Sequence, residues 1–313
     1  MRVLVTGGAG FIGSHLVRAC LEAGEQVRVF DDFSSGQAEN LREVSGQIEV
    51  VEASIVDLAA LEHAARGCEI VYHHAAIASV PRSVEDPVGT HAVNATGTLH
   101  VLEAARRARA RRVVYASSSA VYGDDERLPK HEDMQARPRS PYALQKLFGE
   151  SYCEQYARLH GLPSVSLRYF NVFGPRQDPK SMYAGVIPLF VTALCAGARP
   201  RIFGDGLQTR DFVYVGDVVA ANRAAAQAKT GVSGEPVNIG RGQRTTLLEL
   251  LALCAAALGE PLPEPSFEAV RPGDVRHSQA DVSRAAERLG FRARTPLDAG
   301  LRETVRWYAG ATA

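Results

Sequence analysis

The feature that most constrains this chain is a run of glycines, Gly7-Gly8-Ala9-Gly10-Phe11-Ile12-Gly13, set directly after the strand-like segment Arg2-Val3-Leu4-Val5-Thr6. The stretch from roughly Ile12 to Ala23 has helical periodicity, so the glycines join a strand to a helix. Gly7 permits the tight turn, Gly10 lets backbone approach a pyrophosphate, and Gly13 lets the helix pack close to the sheet. Backbone N–H groups at the helix N-terminus then face phosphate oxygens. A second apolar run, Gln26–Phe30, ends in Asp31-Asp32. A carboxylate there accepts hydrogen bonds from both adenosine ribose hydroxyls and repels the extra phosphate of NADP. No arginine follows at once in Phe33-Ser34-Ser35-Gly36, so the pattern predicts NAD.

Further apolar runs at Gln47–Glu52, Glu69–His73 and Arg112–Ala116 alternate with helical patterns such as Gly97–Ala108. Strands alternating with helices imply an α/β fold, a doubly wound parallel sheet of the Rossmann type. Beyond about Phe170, Gly and Pro become frequent, which suggests a smaller α/β substrate-binding lobe with long functional loops. Phe212–Val215 and Val237–Ile239 are expected to return to the large sheet. The lobes would then interleave: residues 1–170 with about 212–240 for NAD, and about 171–211 with 241–313 for the substrate.

With 313 residues, 46% of them hydrophobic, the chain can bury a large core. Lys plus Arg number 35 and Asp plus Glu 35, a balance that argues against nucleic-acid or membrane-surface partners. The five cysteines have no spacing of a metal knuckle or redox pair, so no metal is expected, and they read as reduced thiols of a cytoplasmic protein. Neither a signal peptide nor a membrane span is evident in the sequence.

Tyr142 and Lys146 lie four residues apart, after Ser140-Pro141, which suits an N-cap followed by the first helical position. They therefore share one helix face. The ammonium is expected to lower the pKa of the phenol and make it a general base. Ser117-Ser118-Ser119 ends the strand Arg112–Ala116, at the sheet edge where ligands bind. At least one of these serines is expected to serve only local backbone bonding. Asp57 fits either a contact to the adenine amine or the N-cap of a helix Leu58–Ala65.

The glycine run, His73-His74-Ala75-Ala76, Ser117–Gly123, Ser140-Pro141-Tyr142-Ala143-Leu144-Gln145-Lys146 and Leu167–Pro175 occur in order. Together they resemble the extended short-chain dehydrogenase/reductases that modify nucleotide sugars, over nearly the whole chain. The resemblance implies catalytic Ser118, Tyr142 and Lys146, with Ser118 found by counting back from Val121-Tyr122-Gly123. It implies NAD contacts at Gly7, Gly10, Phe11, Ile12, Gly13, Asp31, Asp32, Ser35 and Gly36. Ile55, Asp57, Ala75, Ala76, Ala78, Tyr142, Lys146 and Tyr169 complete that set.

Dehydratases of this kind carry an Asp-Glu pair where Ser119-Ala120 stands here, and decarboxylases a glutamate at Ala120, so both reactions lose weight. An epimerase or a simple oxidoreductase remains. Similarity to UDP-hexose 4-epimerases implies sugar-nucleotide contacts at Ser79, Ser118, Ser119, Asn171, Val186, Ile202, Arg210, Arg271, Asp274 and Ser278. Ser278 replaces a bulky tyrosine of the epimerases restricted to plain hexoses, leaving room for an N-acetyl group at C2. Arg176-Gln177-Asp178-Pro179 and Ser79–Ser83 also resemble the UDP-N-acetylhexosamine subgroup. Ala78 departs from the lysine that many UDP-galactose epimerases carry. A UDP-uronate 4-epimerase or nucleotide-sugar reductase stays open. An NAD-binding regulator without turnover ranks lower, because Ser118, Tyr142 and Lys146 are all present. A homodimer through the helices Gly97–Ala108 and Tyr142–His160 is expected.

Overall fold

The computed structural model describes residues 1–178, 185–228, 233–270 and 275–311. Its centre is a seven-stranded sheet of β1 (Arg2–Thr6), β2 (Gln26–Asp31), β3 (Ile48–Glu52), β4 (Ile70–His73), β5 (Arg112–Ser118), β6 (Ser164–Tyr169) and β11 (Pro236–Ile239). All pairings are parallel, in the order β11-β6-β5-β4-β1-β2-β3. The order reverses between β1 and β4, and a crevice opens beyond the strand ends at such a switch.

Alternate residues of each strand feed opposite faces. Val3 and Val5 pack with Leu16, Val17 and Cys20 of α1 (Phe11–Glu22) and with Val218 and Ala221 of α8 (Val215–Gln227). Leu4 packs the other way, with Leu61 of α2 (Leu58–Ala65), Leu102 of α5 (Thr98–Arg107) and Cys153 of α6 (Pro141–His160). Both faces are covered, which is why these strands read as continuous apolar runs.

Strand β6 does not read as an apolar run because Ser164, Ser166 and Arg168 interrupt its pattern. All three are buried, and Arg168 is paired with Glu150. A second core joins α7 (Val186–Cys195), α9 (Leu247–Leu258) and α11 (Leu297–Ala311) around Phe190, Leu250 and Leu301. Three two-stranded sheets flank it. They pair β7 (Asn171–Phe173) with β10 (Phe212–Tyr214), β8 (Arg201–Phe203) with β13 (Ser266–Glu268), and β9 (Thr209–Arg210) with β12 (Thr245–Thr246).

One expectation is corrected here. Pro236–Ile239 does return to the large sheet, but Phe212–Tyr214 pairs with β7 instead, holding Asn171 against it. The backbone N–H of Phe170 donates to Ile239 and that of Asn171 to Asp211, so the chain leaves one sheet and enters the other within one residue. Among the described residues no helix is long and apolar enough to cross a membrane.

Candidate functional site

The ends of β1, β2, β4, β5 and β6 open into one cleft of about 860 Å³. The glycine loop forms its floor. Gly7 has φ +70°, a conformation that favours glycine, and its N–H donates to Phe30 O at 2.8 Å. A Cβ on Gly13 would stand 2.0 Å from Gly7 O, so the helix start sits hard against the turn. Gly10 is the N-cap of α1 without a capping side chain, leaving the first-turn N–H groups to a ligand. Phe11 and Ile12 border the same floor.

Asp31 is buried at the end of β2. Its Oδ2 accepts from Ala9 N and its Oδ1 from Phe33 N, both at 2.9 Å. Burial pushes its carboxyl above the usual range, against the pull of those two bonds. Gly36 exposes the carboxylate to the cleft: a Cβ there would lie 2.8 Å from Oδ1. Asp32, Ser35, Ile55, Ala75, Ala76, Ala78, Ser79 and Tyr169 also line the cleft. This cradle fits a dinucleotide along the glycine loop with a ribose at Asp31. Asp57 does not line the cleft; it is an exposed N-cap of α2, with Oδ1 accepting from Ala60 N at 3.0 Å.

At the other end stand two of the side chains expected to be catalytic. Ser140 caps α6 by accepting from Ala143 N, and Pro141 fills the first helical position, as expected. Tyr142 and Lys146 both face the cleft. Ser118 lies at the end of β5, close enough to Tyr142 for its hydroxyl to pull the phenol's pKa down. Burial is the larger effect, however, and leaves Tyr142 above the ordinary phenol range, which corrects the expected lowering by Lys146. Lys146 Nζ is 5.9 Å from the Tyr142 ring centroid and donates to Ala116 O at 2.9 Å. Burial brings Lys146 itself down to about 8, while Glu150, one turn on, raises it. At neutral pH the lysine is still mostly charged.

The three serines have separate roles. Ser117 donates to Glu150, whose carboxylate is gripped by Arg168 through Nε at 2.9 Å and Nη2 at 2.7 Å. Ser117 is thus tied to a buried ion pair far along the chain, and the local backbone bond belongs to Ser118, whose Oγ accepts from Ala120 N at 3.2 Å. Ser118 meets Tyr142, and Ser119 opens a short 3-10 helix, Ser119–Tyr122.

The remaining predicted residues lie apart from the cleft lining. Arg210 Nη1 donates to Thr209 O at 2.9 Å, and the Ser278 N–H donates to the same carbonyl at 3.1 Å, so these two distant positions meet at β9. Val186 begins α7. Ile202 is 1% exposed and packs into the second core, so its side chain is turned inward. Arg271 and Asp274 lie outside the described residues.

Sequence reasoning missed several groups. Asp211 is fully buried and accepts from Arg241 N (2.8 Å), Gly242 N (2.9 Å) and Ala280 N (3.0 Å), tying three segments together. Burial pushes its carboxyl up to about 6 despite those three donors. Asn94, in a π-helical turn, bonds both Ile77 N and Ile77 O on the cleft wall and also Gln145 of α6. His74 stacks on Tyr169 and bonds Asn222. The only sequence signal for Asn94 was a polar residue among small and apolar ones, and for Asp211 an acid directly before the apolar run Phe212–Tyr214.

Residues 3–240 match the NAD dependent epimerase/dehydratase family. The chain belongs to that family. It is an NAD-dependent enzyme placed beside the UDP-sugar 4-epimerases. It is 45% identical over 312 residues to a "UDP-glucose 4-epimerase" of Mycolicibacterium smegmatis, covering 98% of both proteins. It also matches a UDP-N-acetylglucosamine 4-epimerase from Methanobrevibacter ruminantium solved with UDP-N-acetylmuramic acid, at TM-score 0.94 and 38% identity, over 99% of this chain and 98% of that one. The UDP-glucose 4-epimerase of Thermus thermophilus, solved with NAD, matches at TM-score 0.89 and 38% identity, over 99% and 100%.

Proposed function

We propose that the enzyme is a UDP-hexose 4-epimerase that interconverts UDP-GlcNAc with UDP-GalNAc and UDP-glucose with UDP-galactose through a 4-keto sugar. The observation that carries this is Tyr142 and Lys146 together on the wall of the cofactor cleft, with Ser118 beside Tyr142 at the end of β5 and no acid at Ser119 or Ala120 to drive water from C6. NAD, when bound, supplies a reversible hydride acceptor. Tyr142 takes the C4 hydroxyl proton and later returns it, while Ser118 hydrogen-bonds O4 on either face. Lys146 holds the nicotinamide ribose hydroxyls and supplies positive charge beside the phenol. The names of the Mycolicibacterium and Methanobrevibacter relatives support both substrate pairs.

Residues 1–170 with about 212–240 form the NAD-binding unit in this reading, and about 171–211 with 241–313 hold the UDP-sugar. Asn171, Arg210, Arg271, Asp274 and Ser278 would contact the nucleotide and sugar. A homodimer is supported by apolar side chains left in the open around α6: Val88 is 80% exposed, Leu144 57% and Phe148 37%. The free state of all five cysteines fits a cytoplasmic setting.

Incubating the pure protein with UDP-GlcNAc, UDP-glucose and UDP-glucuronate, then identifying products by NMR, tests the assignment. Conversion of the first two at C4 is expected. Turnover of UDP-glucuronate alone would replace this reading with a uronate epimerase.

A further inference from the structure

We propose that Arg176 binds the diphosphate of the dinucleotide and that His15 holds its guanidinium in place for that task. The proposal rests on the reading of the cleft as the NAD seat.

Arg176 follows β7 in a sharp turn. Its φ of +66° lies in the left-handed region, which a non-glycine residue occupies only when its surroundings impose it. The turn brings the residue to the cleft wall that also holds Gly10, Ile12 and Gly13. There Nη1 lies 3.3 Å from Nδ1 of His15, on the second turn of α1. The other ring nitrogen of His15, Nε2, lies 2.9 Å from Pro175 O. A carbonyl can only accept, so Nε2 carries the proton and Nδ1 offers a lone pair. His15 is thus a neutral acceptor in a fixed tautomer, suited to aim an N–H of the guanidinium. Burial also lowers the pKa of His15 to about 4, which keeps it neutral.

The charges around Arg176 point to an anion. Nearby Arg18 is committed to Glu43 at 3.0 Å and to the carbonyls of Ser14 and Asn40. Arg176 forms no ion pair among the described residues although it is half-buried, and Glu43, the carboxylate whose charge reaches it, is already bonded to Arg18. Of the other cations on the cleft wall, Arg82 is exposed and Lys146 belongs to the catalytic end. A diphosphate laid on the first turn of α1 would therefore meet backbone N–H groups from the helix and a planar fork from Arg176. Helix N-termini bind phosphate, and the guanidinium fork matches its geometry.

The test is titration calorimetry of nucleotide-depleted protein with NAD, ADP-ribose, adenosine and UDP. A hydrogen bond to a charged group is worth about 1.5–3 kcal/mol, or roughly 10- to 150-fold in affinity. Arg176→Met is expected to weaken NAD and ADP-ribose by that factor, while adenosine and UDP stay within about twofold of wild type. Arg176→Lys is expected in between, since it keeps the charge and loses the fork. His15→Ala is expected to weaken ADP-ribose several-fold in the wild-type background and to add nothing in the Arg176→Met background. Unfolding temperatures are read in parallel, and Arg176→Lys carries the test if the methionine variant does not fold. Unchanged ADP-ribose affinity in Arg176→Met overturns the proposal, as does an equal loss for adenosine or a loss that falls on UDP. Wild-type protein that binds neither NAD nor ADP-ribose would instead overturn the cofactor reading beneath it, and no result with the variants can mimic that outcome.

Discussion

The cofactor end of the cleft and the region around β9 are built in opposite ways. The cofactor end uses short stretches of chain: seven residues make the glycine loop, and five carry Tyr142 and Lys146 on one helix face. The β9 region is assembled from afar. Asp211 gathers backbone N–H groups of Arg241, Gly242 and Ala280, and Thr209 O receives both Arg210 and Ser278. The first region is fixed by local backbone geometry. The second depends on a buried carboxylate whose removal leaves three donors without an acceptor. If the β9 region holds the UDP-sugar as proposed, chemistry and specificity rest on different kinds of stability, and perturbations can separate them.

The largest separation is expected from Tyr142→Phe. Loss of a general base typically costs about a hundred- to ten-thousand-fold in turnover. UDP-sugar affinity is expected to stay near wild type, because β9 and its neighbours are untouched. NMR-monitored epimerisation with parallel calorimetry checks both halves. A near-normal rate would mean that Tyr142 is not the base.

Asp211→Ala is the reverse case. An unsatisfied buried donor costs about 1–3 kcal/mol, and three are exposed to that loss here. Stability and UDP affinity are expected to drop, while released-nucleotide analysis still finds NAD. Loss of NAD together with UDP affinity would show that the two regions are not separable.

Ser278→Tyr sharpens the comparison within the second region. Filling space beside the C2 substituent is expected to lower kcat/KM for UDP-GlcNAc relative to UDP-glucose, by roughly ten-fold or more. If wild type rejects UDP-GlcNAc, or the ratio is unchanged in the variant, Ser278 does not face the sugar.

The smallest expected effect concerns pH and belongs to the cofactor end. Burial lowers both His15 and His74 to about 4 from 6.5. A depressed folded-state pKa means that the unfolded chain takes up protons first. The stability of the folded state is therefore full above about pH 6.5 and is lost as pH falls through 4. Urea unfolding between pH 7 and 4 is expected to show this slope, and His15→Asn to flatten it. An identical slope in that variant would remove His15 from the account.

The order of these effects matches how much of each region could be read beforehand. Gly7, Gly13, Asp31, Tyr142 and Lys146 could be placed at one cleft because each has its position set within one strand–turn–helix or one helical turn. The direction of the Tyr142 pKa could not be read this way, since it depends on how deeply the hydroxyl is buried, and burial outweighs the pull of Ser118. Strand β6 was missed because its polar residues are paid for by partners far along the chain, as when Arg168 meets Glu150. Asp57 remained ambiguous because a helix N-cap and an adenine contact ask for the same residue type.

By itself, then, the sequence determined the parallel α/β architecture, the cofactor loop and the pair on α6. Hydrophobic periodicity, glycine geometry and helical spacing act over a few residues and need no knowledge of the rest of the fold. Only the tertiary structure decided that Phe212–Tyr214 joins Asn171–Phe173, that Ile202 turns inward, that Asp211 holds three segments and that His15 accepts from Arg176. These are contacts across long loops, where many partners satisfy the same local rules. The choice among them is made by which buried donors and acceptors the packed chain brings within reach.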